Sequence, residues 1–260
     1  MKRHAFTELT ARLRAAGCVF AEEEAERLLA AASTVDELET MVARRVAGHP
    51  LEHVLGVAFF AGVPFAVADG VFVPRHRTEL LTATGRGLLC DGGVVLDLCC
   101  GTGALGLVVV RGFAGVRLVS TDIDPVAVDC ARRNLDGVTE EVFAGDLFSA
   151  VPSTLLGSVD LLLANVPYVP TAEIAYLPEE FRVHEARAAL DGGADGLDVL
   201  RRVAAEAGGW LAPGGALLTE AGPAQLGTAH ALLRAGGLNP YTVTDEESET
   251  NVVVAVREPG

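Results

Sequence analysis

Residues 94–110 read VVLDLCCGTGALGLVVV, and this stretch decides the fold. A short aliphatic run with an acidic residue near its end, a turn holding two glycines, and a second apolar run describe a buried strand that passes through a tight turn into a helix. The unit recurs downstream. RLVSTD (117–122) leads into DPVAVDCARRNL (124–135), and the strand-like segments EEVFAGD (140–146) and DLLLAN (160–165) follow. Short buried strands alternating with helices imply an α/β protein with a mainly parallel, doubly wound sheet.

Working outward, a Pro- and Gly-rich loop runs from Asn165 to about Gly196 and gives way to a helix through Gly208. Ala212-Pro213-Gly214-Gly215 turns the chain into the strand ALLTE, a helix spans Pro223 to Arg234, and YTVTD and NVVVAV close the sheet as an edge hairpin. Upstream, residues 56–75 mix aromatic and β-branched residues with Gly62 and Asp69-Gly70, the pattern of a β-hairpin linker. Residues 1–55 read as helices. Leu9 and Leu13 share a face with Ala16, and Gly17 stops the first helix. AEEEAERLLAAA (21–32) is the second, and Thr34-Val35-Asp36-Glu37 is a capping-box pattern opening a third towards Arg45. So small a helical unit buries little alone, so it is expected to pack on the larger part or to dock a substrate. The expected division is a helical docking domain at 1–55, a linker at 56–75 and the main domain at 76–260.

The composition excludes several function classes. Half of the 260 residues are apolar, enough for a sizeable core, and 20 Lys+Arg against 35 Asp+Glu give a net charge of −15. The charge is −2 through residue 75 and −13 from residue 76 onward, which argues against DNA or an anionic membrane as partner. The five cysteines, Cys18, Cys90, Cys99, Cys100 and Cys130, form no CxxC pair, and none of the six histidines has metal-ligand spacing, so no metal is expected. The odd thiol count and the absence of an apolar run near the start fit a reduced, cytoplasmic protein. The apolar stretch around Ala104 to Val110 is too short to span a bilayer.

Three strand ends carry candidate ligand contacts. Asp97, Cys99, Cys100, Gly101, Thr102 and Gly103 form a turn where glycines admit a close backbone approach, although the first glycine of a GxGxxG fingerprint is missing. Asp122, followed by Ile123, ends the next strand about twenty residues on, where a carboxylate accepts from ribose hydroxyls. The plainer role for Asp122, a helix cap, is already filled by Asp124 before Pro125. Asp146 and Leu147 after the third strand suit an adenine amino group and ring face. Together the three specify an adenosine-type ligand.

Asn165-Val166-Pro167-Tyr168 follows the fourth strand, at the edge where ligands of α/β sheets collect. An amide or aromatic amino nitrogen is a weak nucleophile because its lone pair is delocalised. Acceptors holding its N–H bonds would aim that lone pair at an electrophile: the Asn165 side-chain carbonyl for one and the Val166 backbone carbonyl for the other. Pro167 stiffens the loop and Tyr168 offers a flat face.

The strand-end set resembles that of class I S-adenosylmethionine-dependent methyltransferases, and Asn-Val-Pro-Tyr resembles the (D/N)PPY signature of those that methylate planar nitrogens. Phe59-Phe60, Gly62-Val63-Pro64-Phe65, the PRPxTE-like Pro74-Arg75-His76-Arg77-Thr78-Glu79, the segment Ala189 to Asp198, and Glu220 are similar to the HemK/PrmC family of protein-(glutamine-N5) methyltransferases. The resemblance implies a Rossmann-like, doubly wound seven-stranded sheet. It also implies S-adenosylmethionine as cofactor, with the Gly101–Gly103 turn at its methionine moiety, and a protein glutamine, such as the GGQ glutamine of a release factor, as acceptor. This chain departs from the family at Cys99-Cys100, His76-Arg77 and Val166, and its Asn-Val-Pro-Tyr form is that of a related branch. N-methylation of a small metabolite or of adenine N6, and a cofactor-binding module without activity, are the alternatives.

Overall fold

The computed structural model describes residues 2–259. Four helices come first, α1 (Lys2–Ala15), α2 (Ala21–Ala31), α3 (Val35–Val46) and the short α4 (Leu51–Leu55). They share a small core of Leu9, Leu13, Cys18, Ala25, Leu28 and Val42. Ala16 is exposed beyond the end of α1, and Cys18 packs in its stead because the chain turns at Gly17 (φ +91°). Thr34 caps α3 by accepting from the Glu37 N–H, but the Glu37 carboxylate reaches back to Ser33 N rather than Thr34 N.

Residues 56–75 form a hairpin only over β1 (Val57–Phe60) and β2 (Val63–Ala66); the chain from Val67 to Arg75 then makes an isolated bridge at Gly70 and packs Val67, Val71 and Val73 against Ala127 and Cys130. The chain continues with α5 (Glu79–Leu88), β3 (Val94–Leu98), α6 (Ala104–Val110), β4 (Arg117–Asp122), α7 (Pro125–Asn134), β5 (Val142–Ala144) and β6 (Val159–Ala164). It ends with α8 (Glu179–His184), α9 (Asp198–Trp210), β7 (Leu211–Glu220), α10 (Leu226–Ala235), β8 (Asn239–Asp245) and β9 (Thr250–Val256). Beyond the helices expected from sequence stand α4 and α8, only five and six residues long, and α5, whose buried Leu81, Thr82 and Gly85 mark its inner face; β7 begins before the Ala212–Gly215 turn rather than after it.

The seven strands lie in the order β5-β4-β3-β6-β7-β9-β8, with β9 alone running opposite to the other six. Alternate residues of each central strand face opposite cores. Leu96, Leu162 and Leu217 pack with α9 and α10, whereas Val95, Leu161 and Leu218 pack with α5, α6 and α7. Burial on both faces explains why these strands read as continuous apolar runs. Strand order reverses between β3 and β6, so the loops leaving these two strands part and open a crevice at the carboxyl edge.

Asp97 belongs to the scaffold of that edge. It is 1% exposed, and its Oδ2 accepts from the Gly106 N–H at 3.0 Å, which ties the end of β3 to α6. A Cβ at Gly106 would stand 2.9 Å from that oxygen, so glycine is required for the contact. Burial above all, opposed by the Gly106 N–H and reinforced by the nearby Asp122 charge, pushes the carboxyl up from 3.8 to about 7. A carboxyl raised in the folded state favours folding while it is protonated. Its contribution is complete below pH 3.8 and is lost as pH rises through about 7. Asp97→Asn keeps the shape and a carbonyl acceptor and removes the titration. In urea unfolding, the variant is expected to gain on the parent as pH rises across this interval; a stability difference independent of pH would show that Asp97 does not titrate there.

Candidate active site

A cavity of about 530 Å³ lies over the carboxyl ends of β3, β4 and β6. Of the residues singled out by sequence, Cys99, Cys100, Gly101, Thr102, Asp122, Ile123 and all of Asn165 to Tyr168 line it. Four others do not. Asp97 faces α6 as described above. Gly103 is packed, since a Cβ there would lie 3.0 Å from Leu135. Asp146 is ion-paired with Arg202 at 2.7 Å, and Leu147 is buried with φ +50°.

The turn after β3 is held by Asp122, whose Oδ2 accepts from Gly101 N at 2.8 Å while Oδ1 accepts from Asp124 N at 2.9 Å. Burial raises this carboxyl, and the backbone N–H groups of Asp124, Gly101 and Ile123 oppose the rise. Each oxygen still has a lone pair for another donor. Gly101 has φ +55°, and a Cβ placed on it would meet nothing within 4 Å of the protein, so its bare face looks into open space. Cys99 takes φ +55° without being glycine, a sparsely populated conformation of the kind that persists at ligand-binding turns. Burial pushes the Cys99 and Cys100 thiols far up, which leaves them unreactive.

Asn165 presents a buried side-chain oxygen, Oδ1, with no hydrogen-bond partner in the protein. Most buried polar atoms are paired, so an orphaned acceptor on a residue that lines the cavity points to a hydrogen-bond partner that the protein itself does not supply. The backbone behind it is fixed by the 189–198 segment. Val169 N donates to Leu190 O, Gly192 N donates to Val169 O, and Gln225 Nε2 donates to Tyr168 O. A Cβ at Gly196 would stand 2.2 Å from Tyr168 O and one at Gly192 2.7 Å from Pro167 O, so these two glycines let the backbones touch.

The remaining wall comes from residues with weaker sequence signals. Arg75 is half-enclosed between Phe72 and Phe181, 4.6 and 3.8 Å from their ring centroids, and its Nη2 donates to both oxygens of the buried Glu185 at 2.7 and 2.6 Å. Arg77 Nη2 donates to the Tyr168 hydroxyl at 2.5 Å, and that hydroxyl donates to Glu220 Oε2 at 3.2 Å. Burial, followed by the Glu220 charge, pushes the Tyr168 phenol well up, so it remains protonated. Burial also raises Glu220, while Thr78, Arg77 and Tyr168 favour its charged form. Arg75, Arg77 and Thr78 sit in the PRPxTE-like stretch; Phe181 and Glu185 had no local signal. Among the described residues no group of three or more His, Cys, Asp or Glu side chains could hold a metal ion, and no helix is long and apolar enough to cross a membrane.

The methyltransferase small domain family matches residues 77–204. The chain is 34% identical to a release factor glutamine methyltransferase from Geobacter sulfurreducens, over 82% of this chain and 75% of that protein. It is also 34% identical to a 4-amino-L-phenylalanine/4-methylamino-L-phenylalanine methyltransferase from Streptomyces pristinaespiralis, over 83% of this chain and 76% of the relative. Among solved structures, a T. thermophilus 16S rRNA methyltransferase in complex with AdoMet and guanosine shares the fold, with 20% identity and a TM-score of 0.55 over 78% of this chain and 50% of that one. With the crevice at the strand-order reversal, the Asn-Val-Pro-Tyr edge and these relatives together, the chain belongs to the HemK/PrmC family of class I methyltransferases, that of the release factor glutamine methyltransferases.

Proposed function

We propose that the chain transfers a methyl group from S-adenosylmethionine to N5 of a glutamine side chain in a protein, and that the acceptor is a peptide-chain release factor in the cytoplasm. The observation that carries this reading is the orphaned Oδ1 of Asn165, a residue that lines the cavity together with the Gly101 turn and Asp122. The cavity residues fit such a cofactor: an unobstructed Gly101 face for its amino-acid end, the Asp122 carboxylate for ribose hydroxyls, and the exposed Ile123 side chain for the adenine. When bound, S-adenosylmethionine supplies an electrophilic methyl group on a sulfonium.

The protein's part is to make the amide nitrogen a nucleophile. Asn165 Oδ1 takes one N–H and the Val166 carbonyl takes the other, which turns the nitrogen lone pair towards the methyl group. Because each N–H bond is polarised towards an oxygen, positive charge developing on nitrogen is stabilised by dipoles already in place, and as the nitrogen–methyl bond forms and the sulfur–methyl bond breaks to leave a neutral thioether, one of the two N–H protons is lost to solvent. Pro167 and the 189–198 contacts hold these acceptors still, so alignment is prepaid in folding. The helical residues 1–55 are proposed to dock the protein substrate, because Arg45 and His49 connect them to α8 at the cavity cover.

The Streptomyces pristinaespiralis relative supports a second reading, methylation of an aromatic amine on a free amino acid, since an arylamine needs the same two acceptors. The acidic main domain counts against adenine in DNA.

Incubation with methyl-labelled S-adenosylmethionine, a release factor and, in parallel, 4-aminophenylalanine separates the two. Label on the release-factor glutamine is expected, and label confined to the amino acid overturns the protein reading. Asn165→Ala is expected to cut turnover at least about 100-fold while the cofactor Kd changes less than about twofold, because its contact is made to the reacting group. Asp122→Ala, titrated by calorimetry, is expected to weaken cofactor binding by about 10- to 100-fold, the worth of a hydrogen bond to a charged group. An unchanged Kd would remove Asp122 from the site.

A further inference from the structure

Glu220 ends β7 at the same edge of the sheet and does not itself line the cavity. It is 4% exposed; Oε2 accepts from the Tyr168 hydroxyl and stands 3.9 Å from Arg77 Nε, and the Thr78 hydroxyl also favours its charged form. A buried carboxylate costs free energy that an apolar residue in the same space would not. Its neighbours show what that cost secures. The Tyr168 hydroxyl donates a hydrogen bond to Glu220 and accepts one from Arg77, so the phenol is gripped from two sides, and the Arg77 guanidinium stands 5.7 Å from the ring centroid. Arg77 also supplies an opposite charge that favours the ionised form of Glu220, against the burial that raises its carboxyl. Tyr168 is three residues beyond Asn165, on the same wall.

We propose that Glu220 is a positioning residue for the methyl acceptor: through the Tyr168 hydroxyl, and against Arg77 on the other side, it fixes the plane of the ring on which the acceptor group lies beside Asn165. The proposal rests on the reading of Asn165 to Tyr168 as the acceptor site. It assigns a task to Glu220 without contact to substrate, and it makes Arg77 and Glu220 one device, so neither is useful without the phenol oxygen between them.

The test uses the full chain as the parent, Glu220→Gln, Tyr168→Phe and the double variant, with a release factor as acceptor. Glu220→Gln is nearly isosteric and should fold. It is expected to lower kcat/KM for the acceptor by about tenfold or more, the worth of a charge-assisted hydrogen bond, with cofactor Kd unchanged. The double variant should match Tyr168→Phe within about twofold, because the two changes break one link. Additive losses would overturn the proposal. A second readout does not need turnover. With 3-fluorotyrosine incorporated, the three tyrosines give separate fluorine resonances, and Tyr168→Phe assigns one of them. Glu220→Gln should shift and broaden that line and spare those of Tyr176 and Tyr241; an unmoved Tyr168 line overturns the link. Failure of the parent to methylate the release factor, with the Tyr168 line still responding to Glu220→Gln, would overturn the assigned acceptor and leave the positioning device standing.

Discussion

The pairing of Arg75 with Glu185 is the constraint on which the shape of the site depends. The Glu185 side chain is fully buried, and Arg75 and the Val73 N–H supply its partners. Burial raises the Glu185 carboxyl, and the Arg75 charge, then the Val73 N–H, pull it back. Phe72 and Phe181 close over the guanidinium from two sides and exclude water, so each charge is committed to the other. Breaking such a pair strands a buried charge and costs several kcal/mol, on the order of 3–5. That commitment ties the loop between β6 and α9 to the segment after β2. A short parallel bridge between Gly70 and Glu185 continues the tie along the backbone. Without it the long loop would have little reason to lie over the sheet edge, and the crevice would be an open groove rather than a walled cavity.

The tie extends to the N-terminal helices. Arg45 makes a two-point contact with Glu24 and reaches Glu180 on α8 at 3.2 Å, while the His49 and His184 rings lie 4.0 Å apart. Helical unit, linker and loop therefore meet on one side of the cavity, and the turns after β3 and β4 form the other. The two sides join at Asn165 to Tyr168. A ligand in the β3–β4 half and a group entering past the linker half would face each other across Asn165, the geometry that group transfer between two bound partners requires.

How much of this was legible in the sequence depends on how far apart the interacting residues lie. Strands such as 94–98 and 160–164 declare themselves because burial on both faces leaves only apolar residues, and the turn at Cys99 to Thr102 is local. Asp122 could be placed because it ends a strand. Asp97, with the same credentials, turned inward, since Gly106 offers it an N–H one helical turn into α6. Asp146 was taken by Arg202, which lies 56 positions away, and Leu147 by the core beneath β4. The Arg75–Glu185 pair spans 110 positions and joins an isolated acidic residue to a motif whose pairing has no periodic signature. Local chemistry was readable; partners chosen by the packing of distant loops were not. The helix α8 escaped for a related reason, having no buried residue and hence no apolar stripe.

Val166 is the departure that most directly touches the chemistry, and its surroundings show why it is tolerated. Its side chain is 2% exposed and belongs to the core cluster that includes Leu162, Ala164 and Leu197. A proline at this position would stiffen the loop through its ring; Val166 is immobilised instead by the core on one side and by Pro167 on the other. The backbone carbonyl, the part that the proposed chemistry uses, is common to both residues. Had the site lost its activity, selection would no longer oppose pairing Asn165 Oδ1, whose bare state costs about 1–3 kcal/mol. That acceptor is nevertheless left bare. An unpaired Asn165, a phenol gripped by Arg77 and Glu220, and a strained Cys99 turn are all destabilising or costly features, and they converge on one cavity. Such convergence is what an enzyme retains and what an inert binding module sheds.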